Sequence, residues 1–134
     1  MLDCSLPALR VAACREDFGD GKEWSFYLIN DGGLTFKWAT LVKACYEWAD
    51  HVTTEQVDAR VSDLPAASHV LLWRTDGDGA EFRQNLLLEF ASDQGEGSVW
   101  FEFPKLYRKR EFALVSQLQK RGWEAKPNWR LSNP

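Results

Sequence analysis

Glu23-Trp24-Ser25-Phe26-Tyr27-Leu28-Ile29-Asn30-Asp31-Gly32-Gly33 is the stretch that decides the fold. In an extended chain Trp24, Phe26 and Leu28 share one face, and Ser25, Tyr27 and Ile29 share the other. Both faces are largely apolar, as in a strand covered on both sides inside a sheet. Asn30-Asp31-Gly32-Gly33 then ends the run with residues that tolerate positive φ, a strong turn signal.

Working outward, period two persists. Upstream, Leu9, Val11 and Ala13 alternate with Arg10, Ala12 and Cys14. Downstream, residues 36–48 put Phe36, Trp38, Thr40, Val42, Ala44, Tyr46 and Trp48 in one phase. The aromatics and Val favour a strand, although residues 39–44 leave a helix open. Thirteen residues is long for one strand, so a bulge or break is expected near Ala44. Val57, Ala59 and Val61 alternate with Asp58 and Arg60, and Leu64-Pro65-Ala66-Ala67-Ser68 forms a corner. Residues 69–75, with Val70, Leu71, Leu72 and Trp73, read as the most buried strand. Asp76-Gly77-Asp78-Gly79 is a tight turn. Gln84, Leu86, Leu88 and Phe90 share a phase, as do Val99, Phe101 and Phe103 opposite Trp100. Residues 110–121 read either as a short helix capped by Gly122, or as a strand at 112–115 followed by a turn of helix and a strand at 123–126.

Six or seven strands at this spacing, joined by Gly, Pro and Asp turns, predict an all-β fold: an antiparallel β-sandwich of about seven strands, with a β-barrel as the competitor. Consecutive hairpins exclude a parallel α/β sheet, which needs crossover helices. The predicted core includes Trp24, Phe26, Leu28, Val70, Leu72 and Phe101. The domain is expected over residues 8–126, with tails at 1–7 and 127–134.

The chain has 134 residues, 45% hydrophobic and 27% charged, an ordinary balance for one globular domain. No apolar run approaches the roughly 20 residues of a membrane helix. Met1-Leu2-Asp3 does not open a basic-then-apolar leader, and Cys4, Cys14 and Cys45 make an odd count without metal-knuckle spacing. The expectation is a cytoplasmic protein with reduced thiols, Cys14 and Cys45 being shielded in strands. Residues 1–100 carry 17 acids and 8 bases, net −9, whereas residues 101–134 carry 3 acids and 8 bases, net +5. The basic cluster is Lys105, Arg108, Lys109 and Arg110 around Tyr107. Such a cluster is a candidate nucleic-acid patch, but the net charge of −4 favours a strand edge or loop kept soluble by charge.

The order of these motifs resembles bacterial immunoglobulin-like modules. Residues 24–32 match an apolar–x–apolar–Asn–x–Gly second strand. Residues 64–68 match their Leu-Pro-Gly-Ser corner, with Ala66 where Gly is usual. The chain also resembles a group of small uncharacterised bacterial proteins sharing Trp–x–Phe–Tyr–Leu–Ile–Asn near the start and Lys-Arg-Gly near the end, here Lys120-Arg121-Gly122. The resemblance covers about residues 8–126. It implies an immunoglobulin-like sandwich and brings no activity and no functional residue with it.

Catalysis finds little purchase. A Ser-His-Asp arrangement would need His51, in a polar connection, or His69, at a strand start; a small hydrolase is the least favoured reading. Asp76-Gly77-Asp78-Gly79 lacks the later ligands of a calcium loop, and Phe18-Gly19-Asp20-Gly21-Lys22 lacks the glycine spacing of a phosphate loop. Nothing calls for a cofactor or a metal. Seven tryptophans are the compositional excess, more than a sandwich this small buries. Tyr27, Tyr46, Trp48 and Trp100 are therefore the candidate interaction surface. The expected function is a non-enzymatic module that binds a protein partner, or itself as a two-fold homodimer, without nucleic acid or membrane.

Overall fold

In the computed structural model, residues 9–18, 21–48, 51–76, 83–103, 113–115, 118 and 120–131 are described. They contain ten strands: β1 Leu9–Phe18, β2 Gly21–Asn30, β3 Phe36–Trp48, β4 His51–Leu64, β5 Ser68–Asp76, β6 Arg83–Ser92, β7 Gly95–Phe103, β8 Ala113–Val115, β9 Lys120–Glu124 and β10 Lys126–Leu131. Two antiparallel five-stranded sheets result, ordered β5-β2-β1-β9-β8 and β10-β7-β6-β3-β4. The first seven strands have the connectivity of an immunoglobulin-like sandwich, with β4 in the sheet of β3 rather than that of β5. The chain then adds β8 and β9 beyond β1, and β10 beyond β7.

The period-two reading locates the core. Leu9, Val11 and Ala13 on β1 and Trp24, Phe26 and Leu28 on β2 face Leu86, Leu88 and Phe90 on β6 and Val99, Phe101 and Phe103 on β7. Phe26 carries the contact between sheets, edge-on to Phe103 with ring centroids 5.3 Å apart. Of the predicted core, Trp24, Phe26, Leu28, Leu72 and Phe101 are buried, while Val70 is half-buried against the cluster.

Several expectations are corrected. Strand β3 does not keep one phase: Phe36, then Ala39 and Leu41, then Ala44 face inward. Lys37 and Val42 are each an extra residue opposite β6, and each extra residue reverses the parity of those that follow. Trp38 thereby leaves the core phase and lies outside. The second of these bulges is the irregularity expected near Ala44. Strand β5, read as the most buried, is a sheet edge, and only Leu72 among its apolar residues is fully buried. No helix occurs among the described residues: β8 and β9 follow the two-strand alternative, but a turn at Leu118 stands where a turn of helix was expected and β9 begins at Lys120 rather than 123. The segment expected as a tail supplies β10, paired with β7 from Lys126 opposite Glu102 to Leu131 opposite Gly97.

The two quoted motifs meet in space. Asn30, 1% exposed, ends β2 where the chain crosses to β3, and its Nδ2 donates to Leu34 O at 2.7 Å and Pro65 O at 2.8 Å. Leu64 O lies at 3.3 Å, sharing the same two hydrogens. The Asn30 Oδ1 accepts from Gly32 N at 3.2 Å. One side chain thus staples the β2–β3 crossing to the β4–β5 corner. Ser68 Oγ closes that corner on Pro65 O at 2.6 Å, and Ala67 takes φ 56° within it.

Candidate functional site

The two outer faces of the sandwich differ. On the β5-β2-β1-β9-β8 sheet, residues opposite the core are Ala12 and Cys14 on β1 and Ser25, Tyr27 and Ile29 on β2. Ala12, Cys14 and Ile29 form a second apolar cluster with Val115 and Leu118, and Tyr27 packs against it. Among the described residues, Val115 and Leu118 pack on this face. Both faces of β2 are buried, as its sequence predicts.

The outer face of the β10-β7-β6-β3-β4 sheet carries Trp38 on β3, Leu87 on β6 and Trp100 on β7, all half-buried. Leu87 and Trp100 are register partners. No element among the described residues lies over them. The Arg60 guanidinium stacks on the Trp38 ring, 4.7 Å from its centroid, a cation–π contact that fixes both side chains. Charges of both signs surround them: Lys43, Glu47, Asp58 and Arg60 on β3 and β4, and Arg83, Glu89 and Glu102 on β6 and β7. Asn85 Nδ2 donates to Glu47, tying β6 to β3.

The four predicted aromatics do not come together. Tyr27 is on the covered face, with its ring edge-on to His69 at 6.4 Å. Tyr46 packs against the main core, its hydroxyl 3.4 Å from Glu55. Trp100 is on the open face. The Trp48 side chain lies outside the described residues, as do the His51 side chain and Lys105, Arg108, Lys109 and Arg110. Sequence reasoning missed Trp38 and Leu87. Leu87 was legible as the residue out of phase with Leu86 and Leu88; Trp38 was hidden by the bulge at Lys37.

Among the described residues, titratable groups do not converge on a catalytic arrangement. His69 is exposed on the edge strand, and among the described residues no group of His, Cys, Asp and Glu could hold a metal ion. The shifted group is structural. Arg10 Nε donates to Glu124 at 2.8 Å, a second nitrogen donates to the other Glu124 oxygen, and Nη1 donates to Asp31 at 2.8 Å. The hydrogen bond that Arg10 donates to Glu124 chiefly raises its pKa, with partial burial opposing it. The stability that the raised Arg10 pKa adds is fully present below the unfolded-state value and is lost only in strong alkali, and salt screens this exposed clamp. Cys14 and Cys45 are free thiols; Cys14 is buried, but Cys45 is only half-buried, beside Thr54 Oγ1 at 3.5 Å, so its expected shielding is partial.

Compared with family models, curated proteins and solved structures, the chain shows no significant match to any of them. Among the described residues, no helix is long and apolar enough to cross a membrane.

Proposed function

We propose that this protein is a non-enzymatic, immunoglobulin-like interaction module of the cytoplasm. Its working surface is the outer face of the β10-β7-β6-β3-β4 sheet, and the occupant that suits this face is a second copy of the chain. The reading is carried by Trp38, Leu87 and Trp100, large apolar side chains on a face that no described element covers. A two-fold axis along the strands lays β6 and β7 of one copy over β3 and β4 of the other, so the apolar patch need only complement itself. The free thiols of Cys14 and Cys45 agree with a reducing compartment.

Sedimentation from micromolar to near-millimolar protein tests the pairing. A concentration-dependent dimer is expected, abolished by Trp100→Glu without a change in the unfolding midpoint larger than that of an ordinary surface substitution. A strict monomer over that range overturns self-pairing and leaves a different protein partner as the form of the reading to pursue.

A further inference from the structure

Strand β4 ends its sheet: it pairs with β3, and no described strand pairs with its other edge. Its 14 residues include neither Lys nor Pro, which commonly blunt an edge. From Gln56 to Ser62, exposed residues alternate with the half-buried Val57, Ala59 and Val61, which pack against the main core. Asp58 and Arg60 stand on the opposite, outer face. Arg60 is held there over the Trp38 ring. Asp58 has no ion-pair partner among the described residues.

This order of residues complements itself. When a second β4 runs antiparallel with Ala59 opposite Ala59, Asp58 faces Arg60 twice and Val57 faces Val61 twice. Directly opposite residues share a face, so the charges meet on the outer side and the valines on the core side. Sliding the pair by one residue sets both charges against apolar residues. Sliding it by two sets Asp58 on Asp58 or Arg60 on Arg60, so one register is singled out. Glu55 meets Asp63 at either end, and Asp63 leaves the extended form with φ 55°, which confines the contact to residues 56–62.

We infer that β4 is an edge at which a second copy of this chain adds strand to strand, about a two-fold axis between the paired Ala59 residues. This contact is distinct from the one proposed for Trp38, Leu87 and Trp100. It is the weaker of the two, since its strand bonds replace bonds to water and little apolar area is covered. In a pair joined face to face β4 is still a sheet margin, so edge contacts link such pairs into a row.

Disulfide trapping tests it in the Trp100→Glu protein, where the face contact is removed, so the two contacts fail independently. Opposed residues of an antiparallel pair have Cα atoms about 4.5–5.5 Å apart, within disulfide reach, so Ala59→Cys links to its own copy. Ser62→Cys gives the more exposed thiol, but in this register its two copies lie roughly 20 Å apart. In a glutathione buffer Ala59→Cys is expected to form 59–59 dimers at least about tenfold faster than Ser62→Cys forms 62–62 dimers, each identified by mass after digestion. Adding Asp58→Arg or Arg60→Asp to Ala59→Cys should abolish the advantage, because like charges then face each other, and mixing the two charge variants should restore it as mixed dimers. An Ala59→Cys rate no greater than that of Ser62→Cys overturns the inference and leaves the edge to a strand of a different protein. A mixture that links no faster than its separate components overturns it as well. The first comparison needs no charge variant, so it decides the matter alone.

Discussion

Gly122 is the residue at which the backbone leaves no choice. A Cβ built there stands 2.6 Å from Ala13 O and 2.8 Å from Cys14 Sγ, closer than such atoms approach. The obstacle is main chain, which cannot swing aside, so Gly122→Ala should push β9 off β1 at a cost of about 1–3 kcal/mol. Urea unfolding measures it, and a change under about 0.5 kcal/mol would mean that β9 lies farther from β1 than described. Asn30 acts in the opposite manner, by what it supplies. Asn30→Ala takes the Asn30 donor from Leu34 O and leaves Pro65 O with Ser68 Oγ alone, and a loss of about 1–3 kcal/mol is expected in the same measurement. Both residues were visible in the sequence as parts of short motifs. Their reasons were not visible, since Gly122 answers to Ala13 and Asn30 to Pro65, far along the chain. A turn signal shows that a residue suits its own backbone; it is silent about the distant backbone the side chain must reach or avoid.

Among the elements, strands with one buried face and no extra residue were the most legible. Strands β6 and β7 keep the alternation of Leu86, Leu88 and Phe90 and of Val99, Phe101 and Phe103, and β6 loses it only at its end, where Ala91 and Ser92 are buried too. Strand β3 was not legible in the same way, because a one-residue insertion in the ladder changes the face of everything beyond it while the sequence still alternates. Strand β5 misled for a different reason. Its apolar run, Val70 to Trp73, suits a central strand, yet it carries a bulge opposite β2 and ends the sheet. The corner before β5 contains a correctable strain. Ala67 has φ 56°, a region that costs a residue with a Cβ about 1–2 kcal/mol, while glycine's extra freedom in the unfolded chain returns part of that. Ala67→Gly is expected to raise stability by about 0.5–1 kcal/mol, read as a rise in the urea midpoint with an unchanged slope. A fall in the midpoint would show that the corner is held by Cβ packing rather than by its backbone.

For the molecule as a whole, the sandwich, its antiparallel pairing and most of its core followed from period two and turn chemistry. The working face did not, because exposure of an aromatic depends on which sheet, which side and which covering segment it meets. Tyr27 and Trp100 both lie opposite core residues, yet one packs with Val115 and Leu118 and the other is on a face that no described element covers. The core joining both sheets predicts a single cooperative transition for the sandwich. Trp24, 4% exposed within it, should cost about 3–5 kcal/mol on replacement by Ala, through lost transfer energy and the space left behind. A loss below about 1 kcal/mol in urea melts would place Trp24 outside the cooperative unit. The pairing of Glu102 with Lys126 has a practical meaning for anyone reshaping this chain. Adjacent antiparallel strands are about 4.8 Å apart, a gap that a two-residue hairpin spans. Residues 104–124 are therefore a cassette: they can be excised and the cut ends rejoined, or exchanged for a foreign loop, with β7 and β10 still side by side. A shortened protein of that kind would fold and would lay bare Ile29 and Cys14, so its solubility, rather than its fold, is where the missing cassette would be noticed.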